Sequence, residues 1–270
     1  MITTPDFTFA DGLTHGLVGR NGIGKTTLLR TIAGQRRGKG VRVDGQDPFD
    51  NQQVMDGLVL MGIDNPLPAG WNLKKVFRIA ATRWPSWDEQ RARELVRRFE
   101  LPMKNYSGLS RGQKSAAGFI VAVASGVPRM LLDEPYLGLD VPKREVFTEV
   151  LREEKQRGDK QRTIIMSTHH LNEVSGLLDA VAVMGAHPLS GPIEDFIEGI
   201  IELTGPAAQI DRALERLALQ PLVREDTPLG ARALVDARPN PEGVFDAAAS
   251  LSLRATEVTL EEAVMALEGE

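Results

Sequence analysis

One short segment constrains this chain more than any other part of its sequence. It fits the pattern G-x-x-x-x-G-K-[ST] in full and adds one more threonine, with the residues Gly19, Arg20, Asn21, Gly22, Ile23, Gly24, Lys25, Thr26 and Thr27. The apolar run Leu13–Val18 precedes this segment and the helical stretch Thr26–Ala33 follows it, which is the strand, loop and helix order that the pattern requires. The segment therefore predicts a loop whose backbone N–H groups surround phosphate oxygens at a helix N-terminus.

Two side chains of this loop and two carboxylates far down the chain have predicted roles. Lys25 can reach the outer phosphates of a nucleotide, and the Thr26 hydroxyl can hold Mg²⁺. The apolar run Met130–Leu132 ends in Asp133 and Glu134. Strand ends in an open α/β sheet point at the ligand crevice. We therefore expect Asp133 to be a partner of Mg²⁺ and Glu134 to orient and deprotonate an attacking water.

Two further segments carry residues that suit phosphate chemistry. The run Leu109–Gln113 is a second predicted helix N-terminus with a small hydroxyl and a glycine. Since one nucleotide hardly needs two such sites from one chain, we expect this run to serve the nucleotide of a second subunit. His169 follows the apolar run Thr163–Ser167, where it can reach a γ-phosphate. His15 and His170 are interpreted as structural, and His187 as a loop residue.

The rest of residues 1–200 alternates short apolar runs with polar helical stretches, which predicts an α/β sheet with helices on its faces. The predicted strands are Leu13–Val18, Gly57–Met61, Met130–Leu132, Thr163–Ser167 and Ala180–Met184. The predicted helices are Lys25–Ala33, Asn72–Thr82, Trp87–Phe99, Arg111–Ser125, Lys143–Lys155 and Leu171–Leu178. Ser86 and Ser110 are the expected N-caps of the third and fourth of these helices.

Residues 200–270 have a different rhythm, which predicts a small α+β appendage. Its expected helices are Ala208–Leu217, Glu242–Ala249 and Leu260–Leu267, and Thr259 and Glu262 form a capping box at the start of the last one.

Composition excludes several other classes of protein. The chain has 270 residues and no cysteine, so disulfides, thiolate metal sites and a cysteine nucleophile are excluded. No apolar run reaches about 18 residues, so no membrane span is expected, and the N-terminus has no signal-peptide pattern. The net charge of −5 argues against a nucleic-acid partner, for which a basic surface would be expected.

Together these segments resemble the ATP-binding subunits of ATP-binding-cassette (ABC) transporters. The matching segments, in the order typical of that family, are the Walker A loop Gly19–Thr27, the signature Leu109–Gln113, the Walker B run Met130–Glu134, the D-loop Leu137–Asp140 and the switch residue His169. The resemblance covers roughly residues 5–200. The run Thr259–Ala263 in the tail looks like the C-terminal appendage of exporter-type ABC ATPases.

The resemblance implies a fold of the P-loop NTPase type, with an ABC ATPase domain at residues 1–199 and the appendage at 200–270. A helical signature subdomain is expected at about residues 66–125. The resemblance also implies a head-to-tail dimer that holds ATP and Mg²⁺ at its interface. The residues expected to bind the partner's ATP are Ser110, Arg111, Gly112 and Gln113. Glu134 would be the general base, His169 the γ-phosphate sensor, and Asp140 would communicate across the dimer.

The same resemblance implies two partners. One is a second ABC ATPase subunit, which is either the same chain or a related one. The other is a separate transmembrane permease, which would hold this cytoplasmic subunit at the inner face of the cell membrane. The family docks that partner near the region Trp71–Trp87.

Two features depart from the family pattern. A glutamine is expected after the strand Gly57–Met61, but Asp64 stands there and would contact Mg²⁺ with an additional negative charge. The family also has an upstream strand with an aromatic residue that stacks on adenine. Only 18 residues precede Gly19, and the alternation of Phe7 and Phe9 predicts that both rings lie in the core.

Two alternative functions remain open at this stage. A soluble ABC-type ATPase that acts on ribosomes or DNA usually carries two cassettes, long coiled coils or basic arms, and this sequence has none of them. A small-molecule kinase of the P-loop class would leave the signature and the D-loop unexplained.

Overall fold

The computed structural model describes residues 1–62, 68, 70–157, 162–169, 171–185, 188–228 and 230–268. Their contacts divide the chain into two units, Met1–His169 with Gly176–Ala182, and His170–Ser175 with Val183–Glu270. Whether the ATPase domain itself ends at residue 199 stays a prediction. Asp64, His170 and His187 lie outside the described residues. Across the described residues, no helix combines the length and apolar character that crossing a bilayer requires.

The first unit is built on a sheet of buried parallel strands. The strands of this unit, in chain order, are β1 Ile2–Thr3, β2 Thr8–Phe9, β3 Thr14–Val18, β4 Arg42–Val43, β5 Leu58–Gly62, β6 Arg129–Asp133, β7 Thr163–Ser167 and β8 Ala180–Val183. In the main sheet the neighbours run in the order β5, β6, β7, β3 and β8, and the first four pair in parallel. Strands β1, β2 and β4 form a separate antiparallel sheet in the order β2, β1, β4. Strands buried on both faces read as continuous apolar runs. Each predicted strand therefore forms, with its ends within one residue of the prediction.

Short helices connect these strands. They are α1 Lys25–Ile32, α2 Gln52–Asp56, α3 Leu73–Arg83, α4 Glu89–Arg98, α5 Arg111–Ala124 and α6 Val141–Gln156, with a 3-10 turn at Tyr106–Gly108. Helix α7, Leu171–Val174, belongs to the second unit, and a 3-10 turn at Ser175–Leu177 follows it. The predicted helix Leu171–Leu178 is thus one short α-helix followed by a 3-10 turn. Helices α3, α4 and α5 confirm the predicted helical region between β5 and β6.

One predicted cap is wrong and another is confirmed. Helix α4 begins at Glu89 because the Asp88 carboxylate accepts the N–H of Arg91 at 2.8 Å. The Ser86 hydroxyl instead donates to the carbonyl of Ser125 at 2.7 Å. Ser110 caps α5 as predicted.

A buried charge cluster fixes α4, α5 and α6 to one another. Glu154 on α6 is fully buried, accepts from Arg91 on α4 and pairs with Arg162 at 3.0 Å. Arg162 also donates to the carbonyl of Val123 on α5 at 2.8 Å. Breaking a buried pair of this kind typically costs about 3–5 kcal/mol, because one charge is left without a partner. The cluster therefore anchors the helix that Ser110 begins.

The second unit contains a small α+β domain, as predicted. Its elements are β9 Leu189–Pro192, α8 Ile193–Ile197, β10 Ile200–Gly205, α9 Ala207–Leu217, β11 Pro221–Thr227, β12 Gly230–Asp236, α10 Pro241–Ser250, β13 Arg254–Glu257 and α11 Leu260–Glu268. From β10 to β13 the order is β-α-β-β-α-β, and the antiparallel sheet runs β11, β12, β10, β13. This is the ferredoxin-like arrangement. The Thr259–Glu262 capping box forms at the start of α11.

His15 on β3 gives the first unit a measurable pH dependence. Burial lowers the pKa of its imidazole below the ordinary value of about 6.5, although the Ala10 carbonyl and Asp179 oppose this shift. The unfolded chain therefore binds a proton more readily than the folded one. The free energy of unfolding should fall as the pH drops below about 6.5, by at most about 1.4 kcal/mol per pH unit. We expect His15→Gln to flatten this part of the profile in urea unfolding. An unchanged slope would assign the dependence to other groups.

Candidate functional site

The phosphate loop Gly19–Thr27 adopts a conformation that its glycines permit. Gly19, Gly22 and Gly24 have φ angles of 146°, 84° and 115°, a region that residues with a β-carbon avoid. Gly24 is the N-cap of α1, and no side chain caps that helix. The positive end of the α1 dipole therefore faces the loop, as the sequence predicts for an anion site.

Lys25 is held across the loop by backbone oxygens. Its ammonium donates to the carbonyl of Gly19 at 2.5 Å and more weakly to that of Arg20 at 3.4 Å. The side chain is only 7% exposed. A phosphate oxygen is a stronger acceptor for an ammonium than a neutral carbonyl is. Lys25 is therefore positioned to exchange a carbonyl partner for a phosphate.

A cavity of about 250 Å³ joins the loop to the two carboxylates predicted far down the chain. It is lined by Asn21, Gly22, Gly24, Lys25, Thr26, Thr27, Asp133 and Glu134. The Thr26 hydroxyl and the Asp133 carboxylate are the oxygen ligands that Mg²⁺ prefers. Among the described residues, no group of three or more His, Cys, Asp and Glu side chains could hold a metal alone. The donor set therefore fits a Mg²⁺ ion that takes further oxygens from a nucleotide.

The two carboxylates are placed by the ends of β6 and β7. Asp133 lies directly beside Ser167 in the parallel register. The Ser167 hydroxyl donates to Asp133 Oδ1 at 2.6 Å, and the Glu134 N–H donates to Ser167 Oγ at 2.9 Å. Glu134 leaves the strand with a φ of 47°, a left-handed conformation that is uncommon for a non-glycine residue. Such a conformation is found mostly where the surrounding structure imposes it.

Glu134 and His169 are in direct contact, which the sequence did not predict. His169 Nδ1 lies 2.9 Å from Glu134 Oε1. The second oxygen, Glu134 Oε2, is buried and has no hydrogen-bond partner. A buried carboxylate oxygen without a partner is unusual. One oxygen of Glu134 is thus paired with the imidazole, and the other has no protein partner.

The signature residues are not brought to this cavity by their own chain. Ser110 and Gln113 form a reciprocal capping box at the start of α5, and Arg111 is exposed. A β-carbon on Gly112 would lie 2.2 Å from the carbonyl oxygen of Gly138, so the close approach of the D-loop requires glycine there.

Asp140 ends the D-loop as the N-cap of α6. Its carboxylate accepts the N–H of Lys143 at 3.1 Å and pairs with the Lys143 ammonium at 2.8 Å. The hydrogen bonds from Lys143 lower the pKa of Asp140. The carboxylate is exposed, and its predicted role across a dimer stays a prediction.

Comparison with known proteins decides the family. The family model described as "ABC transporter" matches residues 2–137, which is slightly more than half of the chain. The chain belongs to the ABC transporter family. Its first unit is accordingly an ABC-type ATPase domain of the P-loop α/β fold.

Individual relatives agree with this assignment. The ABC transporter ATP-binding protein YtrB of Bacillus subtilis is 27% identical over 195 residues, covering 69% of this chain and 64% of YtrB. The daunorubicin/doxorubicin resistance ATP-binding protein DrrA of Streptomyces peucetius is 30% identical over 192 residues, covering 66% of this chain and 56% of DrrA. The chain thus spans less than two thirds of the length of both relatives. A solved ATP-binding subunit of an ABC transporter superposes with a TM-score of 0.60 at 26% identity, covering 70% of this chain and 82% of that one.

Ser167 is a residue of the site that the sequence did not predict. Ser167 forms hydrogen bonds with both Asp133 and Glu134, although no motif marks it.

Phe7 and Phe9 are 4% and 0% exposed, which confirms that both rings lie in the core. No aromatic ring is among the described residues that line the phosphate cavity. The position of Asp64 lies outside the described residues, so its predicted contact with Mg²⁺ stays a prediction.

Proposed function

We propose that this chain binds and hydrolyses ATP with Mg²⁺ as the nucleotide-binding subunit of an ABC transporter. One observation carries this proposal: a single cavity joins the phosphate loop and Lys25 to Asp133 and Glu134.

Each residue of the cavity has a separate task in this proposal. The loop N–H groups and Lys25 bind the phosphates. Thr26 and Asp133 hold Mg²⁺, which supplies charge neutralisation at the outer phosphates. Glu134 Oε2 accepts a proton from the attacking water, and His169 orients the carboxylate through Oε1 and contacts the γ-phosphate. Binding energy therefore comes mainly from the triphosphate.

The proposal includes a head-to-tail dimer, in which the signature of one subunit completes the site of the other. Two features support it. The four signature residues line no part of their own chain's phosphate cavity. They nevertheless form the N-terminus of a capped 14-residue helix, whose dipole favours an anion. Ser110 and Gly112 would thus meet the ATP of a second, identical or related subunit.

A permease is the second proposed partner, and a groove between α3 and α4 supports it. The groove has a volume of about 660 Å³. Its apolar residues are Phe77, Ala81, Val96 and Met103, and its charged residues are Lys74, Arg78, Glu89, Arg93 and Arg97. Four cations against one carboxylate favour an acidic amphipathic helix as the occupant. We assign this helix to the cytoplasmic side of the permease, which would hold the subunit at the inner face of the cell membrane.

Transport outward is the proposed direction. The relative DrrA is described as a drug-resistance protein, and the appendage resembles that of exporter-type ABC ATPases. The alternative of a soluble ABC ATPase on ribosomes or DNA finds no support among the relatives named above.

Replacing the proposed base tests the ATPase assignment. Glu134→Gln keeps the size of the side chain but cannot accept the proton. We expect kcat to fall about 100-fold or more, while nucleotide affinity changes little and an ATP-bound dimer accumulates in light scattering. Glu149→Gln, an exposed glutamate on α6, is the matched control and should behave as the wild type. Normal hydrolysis by Glu134→Gln would remove Glu134 from this role.

Reversing the charge of the groove tests the permease assignment. Arg78→Glu combined with Arg97→Glu should abolish sedimentation of the subunit with membrane vesicles from the source cells, because the rim would repel an acidic helix. ATP hydrolysis by the isolated subunit should stay unchanged. The control variant, Arg36→Glu combined with Lys39→Glu, changes the net charge by the same amount at exposed positions outside the groove. It should sediment normally.

Protease treatment of the vesicles distinguishes a protein partner from lipid. Binding should disappear after treatment. Binding that survives treatment, or full sedimentation of the groove variant, would contradict a permease helix in this groove.

A further inference from the structure

A single buried hydroxyl connects the Asp133 carboxylate to the backbone amide of Glu134. Ser167 is fully buried at the end of β7. Its oxygen lies 2.6 Å from Asp133 Oδ1 and 2.9 Å from the backbone nitrogen of Glu134. The residue lies two positions before His169, and neither the phosphate loop nor the cavity lining includes it.

The direction of both hydrogen bonds follows from the chemistry of the groups. A backbone N–H can only donate, so the Glu134 amide gives its proton to Ser167 Oγ. The hydroxyl has one proton of its own, which it gives to the Asp133 carboxylate. The chain of hydrogen bonds therefore runs from the Glu134 amide through the Ser167 hydroxyl to the Asp133 carboxylate. No other common side chain of this size accepts and donates at one atom, apart from threonine.

This arrangement has consequences for both carboxylates. The bond to Oδ1 fixes the rotation of the Asp133 carboxylate. The bond from the Glu134 amide holds that residue in its left-handed conformation, with a φ of 47°. From that backbone position Glu134 reaches His169 with one oxygen and leaves the other unpaired.

We propose that Ser167 is a positioning residue, which sets the Asp133 carboxylate for Mg²⁺ and the Glu134 carboxylate for the attacking water. This inference rests on the proposed function, since it uses the roles assigned there to both carboxylates. Ser167 contacts neither nucleotide nor water in this role. It acts through the geometry of its two partners.

The test compares three variants by two measurements. Ser167→Ala removes the hydroxyl, Ser167→Thr keeps it, and Ser125→Ala removes another fully buried hydroxyl, which donates to the carbonyl of Ala122 away from the cavity. The first measurement is kcat for ATP hydrolysis. The second is equilibrium binding of a fluorescent ATP analogue with Mg²⁺ and with EDTA, which does not depend on turnover.

We expect Ser167→Ala to lower kcat at least tenfold and to reduce the gain in nucleotide affinity from Mg²⁺ at least threefold. Its affinity in EDTA should stay within twofold of the wild type, because the phosphate loop is untouched. Ser167→Thr should remain within threefold of the wild type in both measurements, and Ser125→Ala should match the wild type.

Three results would overturn the proposal. The first is a wild-type kcat and a wild-type gain in affinity from Mg²⁺ in Ser167→Ala. The second is that Ser125→Ala loses as much kcat and Mg²⁺ response as Ser167→Ala. The third is that Ser167→Thr folds but is as impaired as Ser167→Ala. If Ser167→Ala does not fold, Ser167→Cys decides, because a thiol is a much weaker donor of similar shape. A wild-type Mg²⁺ response in that variant would likewise overturn the role.

Asp133→Asn and Glu134→Gln separate this inference from the proposed function. If both lose activity while Ser167→Ala keeps it, only the role of Ser167 fails. If both keep activity, the proposed function itself fails.

Discussion

The parallel register of β6, β7 and β3 is the constraint on which the site depends. These strands are neighbours in that order, with Asp133 beside Ser167 and Ser167 beside Leu17. Their carboxyl ends therefore bring Asp133, Glu134, His169 and the phosphate loop to one edge of the sheet. A slip of one residue between β6 and β7 would turn Asp133 and Ser167 to opposite faces.

The parts of this fold that the sequence predicts well are those with a local cause. β7 is predicted at its observed bounds because the apolar residues Ile164, Ile165 and Met166 stand between Thr163 and Ser167, with polar segments on both sides. The phosphate loop is recognised because its glycines meet a local conformational need. Ser110 and Gln113 are three residues apart, and their capping box likewise needs no distant partner. The pattern of the residues is sufficient in each case.

Other features could not be predicted because distant contacts decide them. Ser86 and Asp88 are both residue types that cap helices well. The Ser86 hydroxyl donates to the carbonyl of Ser125, which is distant in sequence, so Asp88 caps α4. The hydrogen bond between Ser167 and Asp133 joins residues 34 positions apart, and only the strand register reveals it. The strand order of the C-terminal domain likewise depends on pairing between distant segments.

In the proposed dimer, two copies of the chain, or related chains, complete each other's nucleotide site. Cysteine crosslinking tests it directly, because the chain has no cysteine. Arg20→Cys and Arg111→Cys, both at exposed positions, are placed in separate Glu134→Gln chains and mixed with a short thiol-reactive crosslinker. We expect a crosslinked dimer only in the mixture and only with ATP. Crosslinked dimers of either variant alone, or a yield that does not depend on ATP, would contradict a site shared head to tail.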